Sequence, residues 1–273
     1  MSIPFFQIDA FTNTPFTGNP AAVCMLEDPL ASESMQQIAL EMNCSETAFL
    51  SQRDDTTYDL RWFTPTHEVD LCGHATLASA QSLWTEGYAP TDETLQFDTA
   101  SGQLMAEPTP DGGIRMDFPA ETVTPANTPD GLAEALHTPP TGVYRNRMDV
   151  LVTVARAETV RDLQPDMDRL ARIDARGIIV TAAANDGEAD FVSRFFAPQV
   201  GVPEDPVTGS AHCALGPFWA TKLKRRPLVG RQVSDRGGTV TVDVRDARVD
   251  LTGHAVTTLQ GTLATLPDVH DPT

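Results

Sequence analysis

Glu46 is the side chain whose surroundings best suit general acid–base chemistry. It lies in "NCSETAFL" at the start of an apolar segment, where partial desolvation would raise the pKa of its carboxyl toward the range useful for proton transfer. A charge at this place could equally be an edge-strand residue that discourages aggregation. The sequence leaves both interpretations open.

His74 and Asp205 are candidate partners, because each stands beside an expected helix start. His74 follows Gly73, where it could hydrogen-bond a substrate or shuttle a proton and where the helix dipole would disfavour its charged form. Asp205 lies with Glu204 in "VPEDPVTGS", and Pro206 biases it toward an extended conformation. Ordinary turn chemistry also explains an aspartate before proline.

The two helix starts belong to an internal repeat. "RWFTPTHEVDLCGHATLASA" (61–80) and "RFFAPQVGVPEDPVTGSAHCAL" (194–215) share a strand, a proline turn, a glycine and an alanine-rich segment, and the loop is three residues longer in the second copy. The alignment puts His74 opposite Ser210. Agreement of these positions in order favours duplication over shared turn chemistry. Duplication predicts two pseudo-symmetric lobes, each a curved, mostly antiparallel sheet around a central helix.

The alanine-rich segments are predicted to be the two central helices. The first, Ala75–Glu86, is apolar or small nearly all round, which is typical of a buried helix. The second starts at Ala211 and contains Gly216-Pro217. Because proline lacks the backbone N–H and crowds the preceding turn, we predict a kink or an early end there.

Both predicted helix N-termini are expected to bind substrate. Each N-terminus offers unpaired backbone N–H groups and a partial positive charge that suit a carboxylate. A two-fold relation between the lobes would let the two sets face a common cleft. In an acidic chain, attraction for an anionic substrate has to be local.

The pattern of elements predicts an α+β protein with many strands and few helices. Short β-branched and aromatic segments recur along the chain, and Ser32–Met42 is among the few segments with helical spacing. A length of 273 residues suggests two lobes. Because a Pro- and Thr-rich crossover occupies Pro119–Gly131, we predict an N-terminal lobe at 1–122 and a C-terminal lobe at 123–273, with the last strands free to return to the first lobe.

Composition excludes several classes of partner. The net charge of −19 repels nucleic acid and anionic membranes. No apolar run reaches the roughly 18 residues of a membrane span, no basic leader follows Met1, and the four cysteines lack paired spacing. We therefore expect a cytoplasmic protein. The acidic balance fits either a high-salt habitat or a GC-rich genome.

Metal and cofactor sites are not predicted. "HEVDLCGH" holds five possible ligands, but on a strand Asp70, Cys72 and His74 would share a face that excludes His67, and no second cluster supplies more. Glycine-rich nucleotide motifs, a Walker lysine and a nucleophile elbow are absent. Hydride and phosphoryl transfer therefore lose their support.

Four motifs in order resemble the phenazine-biosynthesis PhzF-like isomerase family: "FTGNPAAVC", "NCSETAFL", "FTPTHEVDLCGHATLASA" and "EDPVTGSAH". The resemblance spans nearly the whole chain and implies a diaminopimelate-epimerase-like fold, a homodimer and a cofactor-free isomerisation of a small carboxylate substrate. It implies that Glu46 is the general base and acid and that His74, Asp205 and Ser210 are its partners. It also implies that backbone N–H groups around Gly73, His74, Gly209 and Ser210 hold the substrate. The identity of the substrate does not follow from it.

Two other functions stay open. Related epimerases use two opposed cysteines, but Cys72 aligns in the repeat with Thr208, which is a far weaker acid than a thiol, and Cys213 lies deeper in the second predicted helix. A non-catalytic protein that binds a small carboxylate would need only the helix N-termini. Proton exchange at carbon, and its dependence on Glu46 or on Cys72, separates the three hypotheses.

Overall fold

The computed structural model describes residues 2–267, in which strand residues outnumber helical ones. The strands are β1 Ile3–Ala10, β2 Asn19–Leu26, β3 Glu46–Gln52, β4 Thr57–Phe63, β5 Glu68–Val69, β6 Leu95–Thr99, β7 Gly102–Pro108, β8 Ile114–Pro119, β9 Thr124–Pro125, β10 Gly142–Arg145, β11 Asp149–Thr153, β12 Gly177–Ala183, β13 Phe191–Ala197, β14 Val202–Asp205, β15 Leu228–Gln232, β16 Gly238–Arg245, β17 Arg248–Gly253 and β18 Ala255–Leu263. The helices are α1 Ser32–Met42, α2 Gly73–Thr85, α3 Leu132–Leu136, α4 Ala157–Arg161, α5 Met167–Leu170 and α6 Gly209–Leu223, with a 3₁₀ turn at Pro198–Val200.

These residues form two compact units. One contains the described residues up to Asp117 together with those from Thr252 onward, and the other is Phe118–Leu251. The long strand β18 lies in the first unit, where it pairs antiparallel with β1 from Ala255 to Leu263. The first unit is therefore built from two separate stretches of chain.

In the first unit, a mostly antiparallel sheet surrounds α2. The pair β2–β3 and the pair β4–β6 are parallel, whereas β1–β2, β3–β4, β4–β5, β6–β7 and β7–β8 are antiparallel. Helix α2 contacts β1, β2, β3, β7 and β18. Ten of its thirteen residues are buried, as expected for a helix of small and apolar residues.

The second unit repeats this order of pairings. Its parallel pairs are β11–β12 and β13–β15, and its antiparallel pairs include β10–β11, β12–β13, β13–β14 and β15–β16. Helix α6 contacts β15 and β16, and the Trp219 indole on α6 donates to the Thr181 hydroxyl on β12 at 3.0 Å. The predicted α+β fold, with one buried helix per repeat, is confirmed.

A kink or an early end was predicted at Pro217, and the early end is wrong, since α6 continues to Leu223. Pro217 cannot donate to the carbonyl of Cys213, but the backbone N–H of Glu121 donates to that oxygen at 3.0 Å. Gly216 packs so closely on β16 that a Cβ there would lie 2.4 Å from Val242 Cγ1. A loop thus replaces the missing helical bond, and the glycine allows close packing.

Within residues 2–267, no helix is both long and apolar enough to cross a membrane.

Candidate active site

Glu46 is the first residue of β3 and lies beside the start of β2. Helix α1 ends at Met42, and the left-handed backbone of the C-cap residue Asn43 (φ 50°) turns the chain toward β3. The parallel register pairs Glu46 with Ala21, two residues after Asn19. This short connection fixes the carboxyl of Glu46 at one end of the sheet.

His74 lies against Glu46 and Asn19 from the second position of α2. Its Nε2 is 3.0 Å from Glu46 Oε2, and these side chains are only 7% and 19% exposed. Its Nδ1 is 3.3 Å from the amide nitrogen of Asn19, which is fully buried and whose oxygen accepts from the Ser45 hydroxyl. Nε2 is thus the ring nitrogen that faces the Glu46 carboxylate, and its N–H donates to it.

Cys72 is the third member of this cluster. Its Sγ lies 3.5 Å from His74 Nδ1. Burial, and then the charge of Glu46, raise the pKa of the thiol to about 11, although His74 and the Ala75 N–H act in the opposite direction. The thiol is therefore protonated at neutral pH and is not a nucleophile.

Glu46 and His74 titrate differently from the sequence-based expectation. Burial alone would raise the pKa of Glu46, but His74, and to a lesser extent Cys72, lower it below its ordinary value. Burial alone would lower the pKa of His74, but Cys72 and Glu46 raise it well above its ordinary value. The expected raised carboxyl pKa and neutral imidazole are thus corrected to an ion pair.

One oxygen of Glu46 is suited to accept a proton. Oε2 is buried, and His74 Nε2 lies 3.0 Å from it. An ionised carboxylate beside an imidazolium can accept a proton from a substrate and later return it. This geometry suits a general base.

Glu46, Cys72 and His74 each place a donor atom within 4.8 Å of the others, so their fit to a metal must be considered. Both ring nitrogens of His74 already face partners, Glu46 and Asn19, and the thiol of Cys72 is protonated. Metal ligation needs free lone pairs and a thiolate. The grouping expected from the sequence also differs, since Asp70 is exposed and Glu46 takes its place.

In the second unit, Asp205 lies at the end of β14 and anchors the start of α6. The hydroxyl of Thr208, the N-cap residue, donates to Asp205 Oδ2 at 2.5 Å. The amide of Gln232 donates to the Asp205 carbonyl at 2.7 Å and accepts from the Thr208 N–H at 2.9 Å. These contacts fix the position of the first turn of α6.

Ser210 is the second residue of α6, and its hydroxyl oxygen accepts from Arg176 Nη2 at 3.1 Å. The earliest helical bond shown for α6 is donated by His212, and the one for α2 is donated by Thr76. The N–H groups of Gly209 and Gly73 therefore lack a helical acceptor. These are the groups that the sequence singled out for anion binding.

The structure thus brings together Glu46 and His74 in the first unit and places Asp205 and Ser210 around the first turn of α6 in the second. Sequence reasoning did not assign Asn19 or Arg176. Asn19 could have been found, because it lies in the quoted "FTGNPAAVC" motif. Arg176 stands in no motif.

Comparison with known proteins gives a consistent family assignment. Residues 8–261 match the PhzC-PhzF family, described as "Phenazine biosynthesis-like protein". An uncharacterized isomerase of Halalkalibacterium halodurans is 47% identical over 264 residues, which cover 96% of this chain and 99% of the relative. A PhzF-family phenazine biosynthesis protein of Enterococcus faecalis has a crystal structure that is 41% identical, with a TM-score of 0.92 over 97% of this chain and 100% of that chain.

A more distant structure extends the likeness to epimerases. A protein of Pseudomonas aeruginosa described as a "Predicted Epimerase" is 24% identical, with a TM-score of 0.71 over 96% of this chain and 99% of that chain. Such a likeness concerns the fold alone. The fold is the diaminopimelate-epimerase-like fold that the motifs implied.

Proposed function

The chain belongs to the phenazine biosynthesis-like family and is an isomerase, and we propose that Glu46 moves a proton between two carbons of a small carboxylate substrate. The observation that carries this proposal is the mostly buried Glu46 carboxylate, held ionised by His74 at 3.0 Å. It is a base that lies beside the first turn of a buried helix. The reaction requires no cofactor.

The proposed reaction breaks a C–H bond and forms another on the same molecule. Glu46 takes the proton from one carbon, and the electron pair of that bond shifts through an adjacent double bond. The protonated carboxyl then returns the proton to the carbon at the far end, so that atoms and charge balance. The nearby positive charge of His74 keeps Glu46 ionised before the first step and stabilises it again after the second.

Asp205 and Ser210 are proposed as further residues that act in the same reaction. Support comes from the resemblance of "EDPVTGSAH" to the family motif and from the contacts that fix Thr208 at the start of α6. The backbone N–H groups at Gly73 and Gly209 are proposed to hold the substrate. A homodimeric state and a cytoplasmic location are proposed on the same resemblance and on composition.

Solvent hydrogen exchange tests the assignment of Glu46. A panel of cyclic amino and hydroxy acids is incubated with the protein in deuterated water, and deuterium at carbon is followed by NMR. We expect exchange in the wild type and a loss of about a hundredfold or more in Glu46→Gln, the usual weight of a general base. Exchange that persists in Glu46→Gln defeats the proposal.

Two controls make the result specific. Glu68→Gln makes the same change at an exposed carboxylate of the same unit, paired with Arg61 at 2.7 Å, and is expected to retain activity. Cys72→Ala separates a thiol mechanism, since racemisation that depends on Cys72 would favour the two-cysteine hypothesis. Saturable binding without any exchange would favour a binding protein.

A further inference from the structure

Arg176 is held rigidly at the start of β12 by a buried carboxylate. Its Nε and Nη2 donate to the two oxygens of Asp149 at 2.9 and 2.5 Å, and Asp149 is 1% exposed. Asp149 begins β11 and pairs in parallel register with Gly177, the residue after Arg176. A bidentate pair of this kind fixes the plane of the guanidinium.

An aromatic ring supports the same guanidinium. The Phe195 ring on β13 lies 5.5 Å from Arg176 Cζ, within cation–π range. The ring also packs against Gly177, where a Cβ would lie 2.2 Å from Phe195 Cζ. The glycine therefore leaves the space in which the ring supports Arg176.

The contact between Arg176 and Ser210 determines how the Ser210 hydroxyl can hydrogen-bond. Arg176 Nη2 donates to Ser210 Oγ at 3.1 Å, so the serine oxygen acts as an acceptor there. The hydroxyl hydrogen of Ser210 has no acceptor among the residues that the structure describes. It is therefore available to donate to an incoming oxygen, next to a positive charge.

Arg176 has an N–H donor that is not hydrogen-bonded to any described residue, unlike Arg194, which also pairs with a carboxylate in this unit. Arg194 is buried, pairs with Glu204 through two bonds of 2.7 Å and donates from Nη1 to the Leu163 carbonyl, as a structural arginine does. Arg176 is 32% exposed, and its Nη1 has no hydrogen bond to any described residue. A partly exposed guanidinium next to a hydroxyl whose hydrogen has no acceptor is an arrangement that suits the binding of an anion.

We propose that Arg176 is a positioning residue that aims the Ser210 hydroxyl and makes the first turn of α6 select a carboxylate over a neutral amide. This inference rests on the proposed function in that it assigns Ser210 to substrate binding. It adds the residue that sets the charge preference of that contact. Because the charge of Arg176 is paired with Asp149, its effect on an anion in this chain of net charge −19 is exerted through the Ser210 hydroxyl that it orients.

Binding calorimetry with 2-aminobenzoate and 2-aminobenzamide tests the proposal. We expect the wild type to prefer the carboxylate, and Arg176→Met to weaken carboxylate binding by about tenfold or more without changing amide binding. Arg176→Lys, which keeps the charge, should restore part of the preference. A wild type that binds the carboxylate no tighter than the amide, or an Arg176→Met variant that keeps the preference, overturns the proposal.

Arg161→Met is the matched control. Arg161 lies in the same unit, is also 32% exposed and pairs with Asp186 at 3.0 Å, but its side chain does not contact Ser210. We expect Arg161→Met to prefer the carboxylate over the amide as strongly as the wild type does. A loss as large as that of Arg176→Met would mean that general electrostatics, not Arg176, sets the preference.

A second set of variants allows for misfolding, because Arg176→Met strands the buried Asp149. Arg176→Met with Asp149→Asn removes that unpaired charge, and circular dichroism confirms that each variant is folded. In a double-mutant cycle with Ser210→Ala, the positioning role predicts that Arg176→Met adds little to the loss of carboxylate binding. Independent, additive losses overturn the proposal.

The failures of the two proposals can be told apart. Glu46→Gln is expected to abolish exchange at carbon and to keep the carboxylate preference. Exchange that survives in Glu46→Gln defeats the proposed function and leaves the role of Arg176 intact. If the wild type shows exchange that depends on Glu46 but binds the carboxylate no tighter than the amide, the role of Arg176 is defeated and the proposed function stands.

Discussion

At the scale of single residues, the contact between Glu46 and His74 outweighs the effect of burial on both groups. Each is mostly buried, and burial by itself disfavours the charged form of either. The attraction between the two groups at 3.0 Å, together with Cys72, reverses the effect of burial: the pKa of Glu46 is lowered and the pKa of His74 is raised. The Glu46 carboxyl is thus ionised at neutral pH although it is mostly buried.

His74→Gln should raise the pKa of Glu46. Glutamine keeps a neutral donor near Oε2 but removes the charge, so that burial is no longer offset and the carboxyl pKa moves above its ordinary value of 4.5. Carbon-13 NMR with labelled glutamate carboxyls measures it, and Glu46→Gln identifies the resonance. His67→Gln, whose charge contributes least, is the control. A lower Glu46 pKa in His74→Gln would contradict the ion pair.

His212 should make the fold less stable in mild acid. It is fully buried, its Nδ1 lies 2.8 Å from the Thr208 carbonyl, and burial lowers its pKa from 6.5 to about 4. Because the unfolded chain binds the proton below pH 6.5 and the folded chain does not, this contribution is complete above pH 6.5 and is lost as pH falls toward 4.

The expected loss is about 2 kcal/mol in the free energy of unfolding between pH 7 and pH 5, at about 1.4 kcal/mol per pKa unit. Urea unfolding at both pH values measures it. His212→Asn keeps a donor near the Thr208 carbonyl but cannot titrate. Between pH 7 and pH 5, the unfolding free energy of this variant should therefore fall by about 2 kcal/mol less than that of the wild type. Equal pH dependence in the two proteins would show that His212 does not titrate in this range.

The candidate site residues could be chosen from the sequence, whereas their ionisation could not be predicted from it. Glu46, His74 and Ser210 stand in motifs, so their type and neighbours in sequence indicated chemistry. The pKa of Glu46 depends on a contact with a residue 28 positions later in the chain. The position of the Arg176 side chain depends on its bonds to Asp149, 27 positions earlier on the neighbouring strand. Neither contact can be predicted from the spacing of residues along a short stretch of sequence.

At the scale of elements, α6 shows how tertiary contacts override a helix-breaking sequence. Proline in a helix interior costs about 3 kcal/mol or more, chiefly through a lost bond and a clash. Here the Glu121 N–H replaces the lost bond at Cys213, and ten of the fifteen residues of α6 are buried. The sequence shows the helix-breaking proline but not the loop that compensates for it. Of the predicted kink or early end at Pro217, the early end was therefore wrong.

Gly216→Ala should destabilise the second unit. The added Cβ would lie 2.4 Å from Val242 Cγ1, and overpacking of a close helix–strand contact costs about 1–3 kcal/mol. Urea unfolding measures the loss. Val242→Ala opens the same space, so the double variant should be less unstable than the sum of the two single variants. Strict additivity would mean that the strain lies elsewhere than at β16.

At the scale of the whole chain, the repeat predicted the fold class, but the chain's path through the two units was only partly open to prediction. Duplicated motifs indicated one buried helix per unit, and the matching strand pairings agree. That β18 pairs with β1 depends on a contact between residues roughly 250 positions apart, such as Ile8 with Thr257. No local pattern specifies a pairing over such a distance.

A chain that ends after Gly253 should therefore lose stability mainly in the first unit. Without β18, strand β1 becomes an edge, and its buried residues Ile3 and Ile8 lose their cover on that side. Trp62 and Trp84 report on the first unit and Trp219 on the second, so single-tryptophan variants, with the others changed to Phe, follow each by fluorescence. The first-unit reporters should unfold at a lower urea concentration in the truncated chain than in the full chain, with a smaller shift at Trp219. Equal shifts at both reporters would mean that the two units unfold as one cooperative body and that β18 stabilises both.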